Sequence, residues 1–252
     1  IAHQGKGEGF YTRKNWGEKD QPNIWESNKY SEIITFLFAD KDSIWGADDD
    51  TDIEYMYQEI ILKNNSSQLN AKQIQEGWLN HIHKEEENFL WVSNQRAFDL
   101  MQEGILPPET SNPKNNIHYE MIDAQLTTEI FGFFSPTRPD IALEISSLPI
   151  LTTARKNAKW IAEFNVIMYS LAAEETDHFL IKDKIQWMAD EARKNLPNDS
   201  YSAKMYDFVK TSYHKGKKWE ELTNTARANF GQTIYPSLKR LLNETKGMMP
   251  ED

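Results

Sequence analysis

The stretch Ala47-Asp48-Asp49-Asp50-Thr51-Asp52-Ile53-Glu54-Tyr55-Met56-Tyr57-Gln58-Glu59-Ile60-Ile61 decides the fold class. Thr51 and Glu54 have the three-residue spacing of a capping box, in which each side chain satisfies a backbone N–H at a helix start. Ile53, Met56, Tyr57, Ile60 and Ile61 then recur at helical spacing, so the segment predicts an amphipathic helix beginning at Thr51. The polar run Asn64-Asn65-Ser66-Ser67 ends it.

Working outward, the same periodicity predicts helices over 71–83, with Ile74, Trp78 and Ile82 on one face, and over 88–103, closed by a left-handed Gly104. A loop with Pro107, Pro108 and Pro113 occupies 106–118; loops of that length are often functional. Ile122, Leu126 and Ile130 mark a helix ending near Gly132, and Pro139 suits the first turn of another that contains Ile141 and Ile145. The best periodic segment is 155–173, where Trp160, Ile161, Phe164, Ile167, Met168 and Leu171 predict a central core helix. Further helices are expected over 177–195, 202–214, 219–230 and 236–244. Residues 1–47 are irregular, with an apolar patch at 33–38 of ambiguous period. The Gly5-Lys6-Gly7-Glu8-Gly9 run lacks the Gly-Lys-Ser/Thr ending of a phosphate loop. Hardly any segment alternates with period two, so the expectation is all-α.

Composition narrows the function. The chain has 252 residues, of which 39% are hydrophobic, including 8 Trp, 10 Tyr and 12 Phe, enough to fill a sizeable core. No apolar run reaches the roughly 18 residues of a membrane span. With 39 acidic against 28 basic residues the net charge is −11, which repels phosphate backbones and disfavours nucleic acid in bulk. The absence of cysteine excludes thiolate metal sites and a Cys nucleophile, without fixing the compartment as cytoplasm or periplasm. The chain opens on Ile1 rather than Met, and the expectation is a preceding segment, either a signal peptide or a whole helix, that has been removed or is not seen.

Asp48, Asp49, Asp50 and Asp52 form the densest carboxylate cluster. Such acids can sit solvated in the first helical turn, favoured by the N-terminal end of the dipole. Alternatively they share a hard cation, Mg²⁺ or Mn²⁺ (or Ca²⁺), that offsets their mutual repulsion, with further oxygens from elsewhere. His81 and His83, two apart, point to different faces of a helix and read as a solvated end with Glu85-Glu86-Glu87; His118, His178 and His214 are isolated.

Several strings resemble the ADP-ribosylglycohydrolase family (dinitrogenase reductase-activating glycohydrolase-like), in a bacterial subgroup. They are Trp45-Gly46-Ala47-Asp48-Asp49-Asp50-Thr51-Asp52-Ile53-Glu54-Tyr55, Leu106-Pro107-Pro108-Glu109-Thr110, Met121-Ile122-Asp123-Ala124-Gln125-Leu126-Thr127-Thr128-Glu129-Ile130-Phe131-Gly132, Arg138-Pro139-Asp140 and Thr152-Thr153-Ala154-Arg155. The match is collinear from Gly5 to Phe230. The resemblance implies an orthogonal multi-helix bundle around a cleft that holds Mg²⁺ or Mn²⁺, up to two ions. It also implies hydrolysis of an N- or O-ribosyl bond in a small-molecule or protein-linked ADP-ribose-type substrate.

Carried over residue by residue, the resemblance makes Asp49 and Asp50 metal ligands and one of them the base, with Thr51 as the closing Thr of the motif. Asp48 falls where many members have a ligating Thr. Residues 121–129 replace the family's Gly-Asn-Gly substrate loop, and Asp123, Gln125, Thr128 and Glu129 are the polar candidates there for substrate binding. The other reading of those four is helix surface. No Asp-x-Asp-Thr follows residue 52, and the family's N-terminal Gly-rich helix has no counterpart. The expectation is one domain over 1–252 lacking the family's N- and C-terminal segments. Hydrolysis of another sugar on the same fold, or a degenerate member that binds a nucleotide-sugar or a protein, are the alternatives.

Overall fold

A computed structural model of the chain describes residues 49–82, 90, 92–174, 180–218 and 221. The expectations for residues 1–48, including Asp48, and for His83, His178 and the helices over 219–230 and 236–244, lie outside the described residues.

The described residues are helical and contain no strand, as the periodicity predicts. Helix α1 spans Asp49–Asn64, α2 Ala71–His81, α3 Val92–Gln102, α4 Asp123–Thr127, α5 Ile130–Phe133, α6 Pro139–Thr153, α7 Lys156–Ala172, α8 Ile181–Arg193 and α9 Tyr201–His214. A 3₁₀ turn, Glu109–Ser111, interrupts the long loop.

α1 begins two residues earlier than Thr51. Asp49, Asp50 and Asp52 all lie in its first turn, where the unsatisfied N–H groups favour negative charge, so the acids themselves extend the helix backwards. A capping box forms at the start of α2. Asn70 Oδ1 accepts from the backbone N–H groups of Lys72 and Gln73, each at 3.0 Å, and Gln73 Oε1 accepts from Asn70 N–H at 2.9 Å. α1 ends as expected, with Asn65 in the left-handed region at φ 47°. Gly104, at φ 86°, ends α3 in the same way and lets Ile105 N–H reach back to Leu100 C=O.

The stripe Ile53, Met56, Tyr57, Ile60 of α1 is buried against Ile74 and Trp78 of α2, Ala97, Phe98 and Met101 of α3, and Phe131 of α5. Trp78 Nε1 donates to the Tyr57 hydroxyl at 3.4 Å, and burial pushes that phenol up to about 12. α7 is central: it packs on α4, α5, α6, α8 and α9. The face it buries most completely is a narrower one than the stripe predicts. Ala162, Val166 and Ser170 are fully buried and Ile167 and Leu171 of the predicted stripe are buried beside them, whereas Trp160, Ile161, Phe164 and Met168 are half-buried.

The expected helix through Ile122, Leu126 and Ile130 is instead two short helices broken at Thr128–Glu129. Its apolar stripe is not its inner face, since Ile122 is 52% exposed while Asp123, Ala124, Thr127 and Thr128 are buried. Two constraints turn it over. Asp123 is drawn to the start of α3, and Gly132 must lie flat on α7, where an added Cβ would stand 2.5 Å from Val166 C=O and 2.9 Å from Ser170 N.

Candidate functional site

Three helix starts meet on one side of the bundle. Asp49 opens α1, Ser93 and Asn94 lie in the first turn of α3, and Asp123 opens α4. Asn94 Nδ2 donates to Asp49 Oδ2 at 3.0 Å, which ties α1 to α3. Asp123 Oδ2 accepts from Ser93 N–H at 2.7 Å, from Asn94 N–H at 3.2 Å and from the Ser93 hydroxyl, which ties α4 to α3. Asn116 Nδ2 donates to Ser93 C=O at 3.3 Å and brings in the proline-rich loop. All five of these residues are buried, Asp49 to 1% and Ser93, Asn94 and Asn116 to 0% exposure.

Buried carboxylates are tolerated here because each lies at the positive end of a helix and accepts hydrogen bonds there. The Asn94 amide has a fixed sense: its nitrogen must face the Asp49 carboxylate, because the reverse would set two acceptors against each other. Its oxygen, Oδ1, is left buried with nothing among the described residues donating to it. Beside the group, burial holds the His118 imidazole below its usual 6.5, opposed by the charge of Asp123 and reinforced by Arg96. His118 Nδ1 is also buried without a partner among the described residues.

The sequence-predicted residues separate into two sets. Asp49 is turned inward, and Asp50 is half-buried in the same first turn. Asp123 joins Asp49 through Asn94, but its contacts are to the start of α3. Thr128 is buried to 1% and its hydroxyl donates to Ala124 C=O at 2.6 Å within its own helix turn. Gln125 is half-buried. Glu129 is half-buried, its Oε2 is enclosed without a partner among the described residues, and desolvation raises its carboxyl above the ordinary 4.5. Asp123 and Thr128 are thus committed within the chain. His81 and His214 are exposed, and neither belongs to this group.

Ser93 and Asn94 are what sequence reading missed. Their signal was present: Ser and Asn in succession favour a helix start, where their side chains serve caps rather than the helix interior.

The group contains carboxylate, hydroxyl and amide oxygens, the ligand type that Mg²⁺ or Mn²⁺ takes, and the Asn94 oxygen fits a cation better than an apolar filling. Among the described residues no three His, Asp or Glu side chains stand together as a metal cluster. Any cation held there would need neutral oxygens beside the described carboxylates. An open groove of about 330 Å³, lined by Leu143, Ile167, Leu171, Trp187, Glu191 and Lys194 among others, shares no residue with the group. Among the described residues no helix is long and apolar enough to cross a membrane. No family model matches the chain, and no curated protein and no solved structure matches it at a significant level.

Proposed function

We propose that the chain is a metal-assisted glycoside hydrolase of the ADP-ribosylglycohydrolase type, cleaving an N- or O-ribosyl bond of an ADP-ribosylated or related substrate. The observation that carries this reading is the inward Asp49 at the head of α1, 1% exposed and held by Asn94 beside the half-buried Asp50. A solvated acidic turn would leave its side chains to water. The sequence resemblance assigns these same two acids to an ion.

Asp49 and Asp50, with Asp48 beyond the described residues, would hold Mg²⁺ or Mn²⁺, one ion or two. A bound ion would supply positive charge that orients ribose hydroxyls and acidifies water. The roles of the two acids follow from their surroundings. The bond from Asn94 fixes the orientation of the Asp49 carboxylate, which suits a ligand. Asp50, the more open of the two, accepts the proton of the attacking water. The bond from the anomeric carbon to the side-chain nitrogen or oxygen breaks as the new C–O bond forms, and the leaving group takes up a proton. Gln125 and Glu129 contact the substrate.

A second reading keeps the hydrolase and changes the sugar. Asp123 and Thr128, two of the four polar residues in the substrate stretch, are bound within the chain, so recognition there differs from what the family resemblance implies. The test is release of ADP-ribose from ADP-ribosylated arginine and serine peptides, with and without Mg²⁺, beside a panel of other glycosides. Mg²⁺-dependent ADP-ribose release supports the first reading, and turnover of another glycoside alone supports the second. Binding of ADP-ribose with no turnover of any substrate would leave a non-catalytic binding protein.

A further inference from the structure

Among the described residues, the fully buried Asn94 makes one bond through its amide nitrogen and none through its amide oxygen. A buried carbonyl-type oxygen without a donor is unfavourable, so a native structure retains one where something else satisfies it. Rotating the amide does not help, because the oxygen would then oppose the Asp49 carboxylate. Packing does not free the residue either. Its backbone N–H is held by Asp123, so the side chain is fixed in place at both ends.

We propose that Asn94 is a neutral oxygen ligand of the cation site headed by Asp49, its amide nitrogen orienting the carboxylate while its amide oxygen joins the coordination set. The inference rests on the cation reading above and extends it to a residue that the acidic motif does not contain. Amide oxygens are ordinary ligands of Mg²⁺, Mn²⁺ and Ca²⁺. A neutral ligand also suits this place. The described residues there already bury the carboxylates of Asp49 and Asp123, and a third would raise the repulsion in the metal-free protein.

The test is Mn²⁺ binding to the full chain, measured by electron paramagnetic resonance of free Mn²⁺ and by calorimetry, in the parent protein, Asn94→Ala and Asn94→Asp. Circular dichroism on each metal-free variant checks the fold. The expected result is saturable Mn²⁺ binding by the parent, at least tenfold weaker binding by Asn94→Ala, and recovery to within a few fold of the parent in Asn94→Asp, which restores an oxygen. Should Asn94→Ala lose its fold, the folded Asn94→Asp decides: binding within a few fold of the parent supports a ligand, and a tenfold loss overturns it. Two results separate the two levels of the argument. If the parent binds no Mn²⁺, the cation site itself fails, and the role of Asn94 with it. If the parent binds and both variants bind equally well, or both bind equally poorly, the site stands and Asn94 is not a ligand in it.

Discussion

The carboxylate of Asp123 accepts the backbone N–H of Ser93 at 2.7 Å and so caps α3 from thirty residues away. A helix usually finds its cap in the residue just before it. Here the cap comes from another helix, and the same contact fixes where the start of α3 lies relative to α1. Asn94, in that first turn, meets Asp49 only because Asp123 holds it there.

Asp123→Asn removes the charge from three hydrogen bonds and sets an amide against donors. The expected loss of stability is about 1–3 kcal/mol, read as a lower urea midpoint at unchanged slope. A direct substrate contact would behave otherwise: midpoint unchanged and KM raised.

Gly132 lies against the backbone of α7, and the groups that an added methyl would meet, Val166 C=O and Ser170 N, belong to that backbone and cannot rotate aside. Gly132→Ala is expected to lower stability by about 1–3 kcal/mol through overpacking. In a domain of this size that is a fall in melting temperature of about 2–4 °C per kcal/mol, measurable by calorimetry. A melting temperature equal to the parent's would mean that α5 and α7 separate at little cost.

These two positions also show where sequence reading works and where it stops. The stripe Ile53, Met56, Tyr57, Ile60 is legible because a local period reports a local face. The left-handed Gly104 and the helix start at Pro139 are legible for the same reason: each depends on its own backbone. The face of α4 and α5 was not legible, because Asp123 and Gly132 answer to α3 and α7, not to neighbours in sequence. The same holds at the site. The carboxylate run stands out in the sequence, but its partner Asn94 lies 45 residues away, and Thr128 turns inward to Ala124 where polarity alone suggested a surface or a cleft.

Asp49 and Asp50 are expected to fail differently. Asp49→Asn, which lies beside the Asn94 amide, loses Mn²⁺ affinity by tenfold or more. Asp50→Asn retains much of that affinity and loses turnover, by about a hundredfold or more for loss of a general base. Mn²⁺ titration and steady-state kinetics on the two variants separate the roles. Equal affinity and equal turnover in both would remove the assignment of ligand and base.

His118 gives a pH signature. Its folded pKa is lowered by burial, so the unfolded chain takes up this proton first as the pH falls. The contribution is complete above the unfolded value near 6.5 and declines as the pH drops from there through the lower folded value. His118→Gln should therefore lose less stability than the parent between about pH 7.5 and pH 5, the difference in urea midpoints being the readout. An identical pH slope in the two proteins would mean that His118 does not titrate on unfolding in that window.

Glu129 makes the opposite case, and it sets stability against function. Its carboxyl is raised above the ordinary 4.5 by desolvation, with Oε2 enclosed and unpartnered among the described residues. A raised folded pKa means the folded state holds the proton more tightly. The stability that it contributes is present below the unfolded value and is lost as the pH rises through the folded value, so near neutral pH the charged Glu129 destabilises the fold. Glu129→Gln is then expected to raise the melting temperature near pH 7, with the gain vanishing near pH 4. A residue kept at such a cost for a substrate contact should show the other half of the exchange, a lower kcat/KM in the same variant. A stabilised variant with undiminished kcat/KM would take Glu129 out of the site and leave it a buried acid with no role in recognition.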